Sequence, residues 1–289
     1  MNNHSEIQAL ISLLDDEDEE IIENVSNKLI SYGKPILATL EEAWGCQDYS
    51  ALHFEKIEKI IAKIHFDDIY QQLNIWLKDD FATLIDGALI IAQLFYHDLD
   101  KDKFNEELAK QKQKIWLELN NNYTALENIN IFNQVFYNVL GYKGVKTKEF
   151  QYNHFCVNNV LDTRQGAPIA LGILYISLAQ QLDLPVYGVN LYKHFVLAYQ
   201  KNFVYDFTQE NSSETIFYMN PSNKGVSFFK KEILSYLASS KVEPKTVYFE
   251  PASPFAIIKE LLRYLYYTHV AQNDESKVHQ IKLLVQLFD

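Results

Sequence analysis

The sequence predicts an α+β protein in which a central helix packs on an antiparallel sheet, with a helical N-terminal region before it and a helical hairpin after it. Three observations carry this. Apolar residues recur at helical spacing up to residue 140, short runs of β-branched and aromatic residues take over from Val186, and helical spacing returns from residue 229.

Residues 5–44 read as two amphipathic helices, the first built on Ile7, Leu10, Ile11 and Leu14, the second on Ile21, Ile22, Val25, Leu29 and Ile30. Gly33 and Pro35 punctuate the chain after the second. The stretch LLDDEDEEIIENVSNKLISYGKPILATLEEAW resembles a HEAT-type repeat, in which paired helices hinge at an acidic turn and close on a break rich in Gly and Pro. A second periodicity, Ile57, Ile60, Ile61, Ile64, Leu73, Trp76 and Leu77, suggests a degenerate second unit. Further helices fit residues 82–96, 102–120 and 124–140, the last closed by Gly141. Pro168 suits the first turn of a helix, and Ile169 to Leu182 is apolar nearly all round, which makes that helix central. Strands follow at 186–191, 194–199, 203–207 and 215–219, with Gln200-Lys201-Asn202 as a hairpin turn between the second and third. Residues 229–239 return to helix, a linker punctuated by Pro spans 244–254, and 255–288 forms a helical hairpin turning near Asn273-Asp274. The segments divide as 1–119, 120–243 and 244–289.

Composition narrows the function classes. A net charge of -12, with lysines scattered along the chain, opposes binding to nucleic-acid phosphates. No apolar run approaches the ~20 residues of a bilayer span, since Gln93 interrupts the longest, Ala88 to Tyr96. The start MNNHSEIQAL has neither a basic n-region nor an apolar h-region, which points to the cytoplasm. The two cysteines, Cys46 and Cys156, are expected as reduced thiols and form no metal framework. No cofactor is expected. The acidic run Asp15 to Glu20 reads as a solvated turn between helices.

The informative segment runs from Val160 to Gly225. It carries an Arg-x-Gly-x-Pro-Ile helix start at Arg164 to Ile169, a Leu-x-Leu-Pro-Val turn at Leu182 to Val186, an Asn-Leu-x-x-His-Phe strand at Asn190 to Phe195, and an Asn-Pro-Ser-Asn-Lys-Gly loop at Asn220 to Gly225. In this order the motifs resemble the transglutaminase-like superfamily, with its papain-like core, and within it the SirB-type bacterial proteins. The resemblance covers residues 120–240, and the tail after residue 250 is similar to the short helical segment of the same group.

Chemistry in that superfamily needs a cysteine at the N-terminus of the central helix, where the helix dipole lowers its pKa, a histidine base, and an Asp or Asn that orients the base. Carried over by motif, the histidine is His194. The orienting residue is Asn220, with Asp206 as fallback. The nucleophile position falls on Pro168, or on Ala170 in the SirB-type register, and neither side chain can attack a substrate. Cys156 lies ten residues before Gly166, outside the helix start, and reads first as a small buried hydrophobe. The resemblance further implies binding positions at Arg164, Gly166, Asn190 and His194. Arg164 could equally serve a structural salt bridge. Ser177, in the middle of the helix, should bond a backbone carbonyl. These residues imply a protein without the reaction, acting through protein or peptide partners. The alternatives are a hydrolase or acyltransferase using Cys156, and a binder of peptides or small molecules.

Overall fold

The computed structural model describes residues 3–45, 51–120, 122–204, 206–207 and 214–289. Cys46 lies outside them. The chain divides into two compact units, Met1–Ile75 and Trp76–Asp289.

In the first unit, α1 (Asn3–Leu13), α2 (Glu19–Tyr32), α3 (Leu37–Trp44) and α4 (Ala51–Trp76) share a core of aliphatic residues. The periodic positions supply it: Ile7, Ile11, Leu14, Val25, Leu29, Leu40, Ile57, Ile60 and Ile64 are all buried. Asp18 starts α2 by accepting the Glu20 N–H at 2.9 Å, which satisfies a donor the helix itself cannot. Residues 5–44 thus hold three helices and not two. Gly33 takes φ 65° and Pro35 sits in a 3₁₀ turn, Lys34–Ile36, so the chain breaks before α3.

The second unit opens with α5 (Leu84–Ala92), α6 (Lys101–Trp116) and α7 (Ala125–Asn133). Thr124 and Glu127 cap α7 reciprocally. The helix then widens into a π-helical turn, Gln134–Val139, and stops at Gly141 with φ 83°. Two short parallel strands, β1 (Lys143–Gly144) and β2 (Gln165–Gly166), flank α8 (Val157–Thr163). Next comes the central helix α9 (Pro168–Gln180), in which every residue from Ile169 to Ala179 is buried. Ser177 bonds the Ile173 carbonyl at 2.8 Å, so its hydroxyl is satisfied inside that apolar surround.

The sheet runs β3-β4-β5-β6, antiparallel throughout, with β3 Val186–Leu191, β4 His194–Gln200, β5 Thr215–Asn220 and β6 Val226–Phe228. Alternation sorts its side chains. Phe195 and Leu197 face Gly172 of α9, while Val189, Leu191, Val196, Ala198 and Tyr218 face Ile233 and Leu237 of α10 (Lys230–Ser239). Helices α11 (Pro254–Ala271) and α12 (Glu275–Gln286) form the C-terminal hairpin, turning at Asn273, φ 57°, with Asp274 capping α12. The protein is α+β.

The expected strand at 203–207 is absent from the described part of that segment, which excludes Tyr205. Its hydrogen bonding goes elsewhere: the Val204 N–H donates to the Tyr187 hydroxyl at 2.8 Å, and the Phe207 ring meets the Tyr187 ring edge-on at 6.0 Å. Gln200 belongs to β4 and pairs with Thr215, so the partner of β4 is β5. Residues 201–214 make the connection.

Candidate functional site

At the end of the sheet that carries the β3–β4 turn there is an open cleft of ≈350 Å³. Pro168 of α9, His194 of β4 and Asn220 of β5 all line it. Three segments distant in sequence thus converge, because α9 begins, β4 begins and β5 ends at the same edge of the core.

His194 opens β4 opposite Leu191, across a two-residue turn in which Lys193 takes φ 59°. Its ring meets the Tyr236 ring edge-on at 5.1 Å, and the Tyr236 hydroxyl in turn donates to the Tyr192 carbonyl at 3.0 Å. Partial desolvation lowers the His194 pKa below its ordinary value, which favours the neutral imidazole. No side chain among the described residues hydrogen-bonds that ring. The Asn220 side-chain oxygen is held by its own loop, where it accepts the Ser222 N–H at 2.9 Å.

The Asn220 loop is pinned from behind. The Tyr137 hydroxyl donates to the Pro221 carbonyl at 3.0 Å, and Asn133 Nδ2 donates to the Gly225 carbonyl at 3.1 Å. The Tyr175 hydroxyl of α9 donates to Asn133 Oδ1 at 2.9 Å, tying loop, π turn and central helix together. Gly225, φ 66°, leaves no room for a Cβ against the Asn133 amide.

Ala170 is fully buried in the first turn of α9 and does not line the cleft. Cys156 caps α8 elsewhere in the unit, with its thiol donating to the Tyr152 carbonyl at 3.4 Å and only 2% of the residue exposed. Burial pushes that thiol well above its ordinary pKa, opposite to what a nucleophile needs. We expect the peptide carrying Cys156 to be alkylated by iodoacetamide at pH 8 at least roughly tenfold more slowly in the folded protein than after denaturation. Mass spectrometry of the digest reads this, and equal rates would contradict the burial.

The remaining sequence candidates do not line the cleft. Arg164 leaves α8 at φ 61° and reaches Glu107 of α6 at 2.9 Å and the Tyr142 hydroxyl at 2.9 Å, with Leu161 also accepting. Glu107 is held below the usual carboxylate range, first by the Gln111 amide and then by Arg164. Burial pushes the Tyr142 phenol up to about 12. Gly166 pairs with Gly144, and a Cβ there would meet Val160 at 2.8 Å. Asn190 faces α11, donating to the Ala256 carbonyl at 3.4 Å. Asp206 lies in the β4–β5 connection.

Sequence reasoning missed Lys146, Thr147, Ser222, Glu232 and Tyr236, all of which line the cleft. The Ser222 hydroxyl oxygen is buried and has no partner among the described residues. A Cβ on Gly144 would meet the Ser222 Cβ at 2.7 Å, so the loop approaches β1 closely. Only Ser222 had a signal, its place in the Asn-Pro-Ser motif. Among the described residues, no group of three or more His, Cys, Asp or Glu side chains could hold a metal ion, and no helix is long and apolar enough to cross a membrane.

Comparison with known proteins places the chain. It is 26% identical to a UPF0162 protein of Vibrio cholerae over 152 residues, 52% of this chain and 53% of that one. A UPF0162 protein of Xylella fastidiosa is 26% identical over 119 residues, 41% of this chain and 42% of the relative. The mouse F-box only protein 21 is 24% identical over 165 residues, 48% of this chain and 26% of the relative. The chain spans about half the length or less of the relatives it matches. No solved structure matches. Residues 102–263, from α6 into α11 and including the whole cleft, match the family described as Transglutaminase-like superfamily. More than half of the chain is covered by that match, and the chain belongs to the transglutaminase-like superfamily.

Proposed function

We propose that this chain is a non-catalytic member of its superfamily, an interaction or regulatory module of the bacterial cytoplasm that keeps the shape of the ancestral cleft without its reaction. One observation carries the reading. The helix start beside His194 is Pro168, with Ala170 buried behind it, while Cys156 is buried outside the cleft. A neutral imidazole can accept a proton, but the cleft offers it no thiol. The bacterial relatives support the setting, and fold alone confers no activity. The order of the cleft motifs supports a SirB-type protein. The α1–α2 pair, hinged at the acidic run and closed by Gly33 and Pro35, supports a HEAT-like N-terminal region that presents a partner surface. The segments 1–119, 120–243 and 244–289 are then a helical region, the core and a C-terminal hairpin.

A second reading, a peptide or small molecule held by hydrogen bonds, is favoured by the open volume of the cleft, by the unpartnered Ser222 hydroxyl and by a His194 ring that no side chain among the described residues hydrogen-bonds. Incubation of the reduced protein with glutaminyl peptides and an amine donor tests the absence of catalysis. Intact-mass spectrometry should show no acyl adduct, and ammonia release should stay at the level of buffer. A stable adduct on Cys156 would restore the rival reading of a hydrolase or acyltransferase.

A further inference from the structure

A second groove opens on the far side of α10 from the cleft. Strand β6 pairs with β5 only at Tyr218, Met219 and Asn220. The chain then turns into α10 at Phe229, and among the described residues no strand pairs with the outer edge of Thr215 to Phe217. Beside this half-strand lies a groove of ≈820 Å³ walled by the start of α10 and by residues 244–250. Ile216, Phe229 and Leu234 line it and are 43%, 59% and 42% exposed.

The charges around the groove are unusual for this chain. Lys230, Lys231 and Lys245 line it, and none makes an ion pair among the described residues. Lys230 lies 4.8 Å over the Phe249 ring. Of the two acids present, Glu214 is held by Lys201 at 3.5 Å, and Glu250 makes no ion pair among the described residues. In a molecule of net charge -12, this is a local surplus of positive charge beside exposed apolar side chains and an open strand edge.

We propose that this groove receives an acidic, extended peptide segment of a partner protein, which adds as a strand to the free half-edge of β5. Unpaired strand edges template another strand through their backbone N–H and C=O groups, and side-chain pockets then select the sequence. At the opposite edge of the sheet, part of β3 is covered, since the Ala252 N–H donates to the Gly188 carbonyl at 2.8 Å. The lysines choose the occupant. A second copy of β5 would bring the same three cations against them, so self-pairing is opposed, whereas an acidic strand is attracted. Ile216, Phe229 and Leu234 supply the apolar contacts that a solely electrostatic site would lack.

The groove does not depend on the cleft reading, and the test separates them. A short fluorescein-labelled peptide of alternating valine and glutamate is titrated with the full chain, beside its counterpart with lysine for glutamate, and anisotropy is read. The acidic probe should bind at least roughly tenfold tighter than the basic one, weakening as salt rises. The double variant K230E/K231E, both positions exposed and outside the core, should lose at least roughly tenfold in affinity. Methylating alternate backbone nitrogens of the probe should weaken binding further, because strand addition needs those donors. His194→Ala should leave binding unchanged. Equal binding of both probes, no binding, an unaffected K230E/K231E, indifference to N-methylation, or loss with His194→Ala would each overturn the proposal, the last by placing the peptide in the cleft.

Discussion

Replacing Leu174 with alanine is expected to cost about 2–5 kcal/mol, enough to remove much of the stability of an ordinary domain. Leu174 sits at the middle of α9, where the neighbours on every side are buried as well. A surface helix can move to fill the space left by three missing carbon atoms. This one is enclosed by the sheet and by other helices, so a cavity should remain and add to the lost transfer energy. A urea melt of the variant beside the natural protein measures the difference. A cost below about 1 kcal/mol would mean that α9 is free to collapse inward, contrary to its enclosure.

A larger loss, about 3–5 kcal/mol, is expected for Phe195→Ala. The Phe195 ring occupies a slot between two residues without side chains, Gly172 on α9 and Gly188 on β3, and a Cβ built on either would collide with it. Ring and glycines are therefore one fitted unit. The reverse change, Gly188→Ala, should also destabilise, by about 1–3 kcal/mol, since the added methyl would also meet Ile257 at 2.8 Å. Denaturant melts of both variants decide. Were Gly188→Ala neutral and Phe195→Ala mild, the contact between helix and sheet would have to be loose.

The elements that could be read from the sequence are those whose signal is local. The stretch after Pro168, apolar nearly all round, reads as an enclosed helix, and α9 is one. Strands β3 and β4 were equally plain from their runs of β-branched and aromatic residues, and the α11–α12 hairpin from its turn, where Asn273 takes φ 57°. The misplaced strand at 203–207 shows the limit of composition. Aromatic and β-branched residues favour strands, yet Val204 and Phe207 serve to anchor a loop on Tyr187. Strand β6 is three residues long and is defined only by its pairing with β5. Helix α8 is seven residues, two of them the poor helix formers Asn158 and Asn159.

The cleft divides in the same way. His194, Asn220 and Pro168 were found because they stand inside spaced motifs, and they do line one space. Lys146 and Thr147 come from a turn after β1, and Glu232 and Tyr236 from α10, where local pattern reports only a loop and an amphipathic helix. Their convergence is a property of the tertiary fold. Arg164 was open to two readings, a binding position or a structural salt bridge, and the partner that holds it, Glu107, lies 57 residues away.

The π-helical turn has a consequence of phase. Each residue of an ordinary helix advances about 100° around its axis, so a turn closed by bonds five residues apart takes up one residue more than the regular winding. The side chains beyond it are rotated relative to those before it. Here the Leu140 N–H reaches back to the Val135 carbonyl at 2.8 Å, five residues away. Within that wider winding lies Tyr137, whose hydroxyl grips Pro221. The turn thus behaves like an angular offset in a camshaft. It sets the angle at which one helix meets a loop more than eighty residues downstream, and a single-residue deletion between Gln134 and Val139 would mistime that grip and release the loop that brings Asn220 and Ser222 to the cleft.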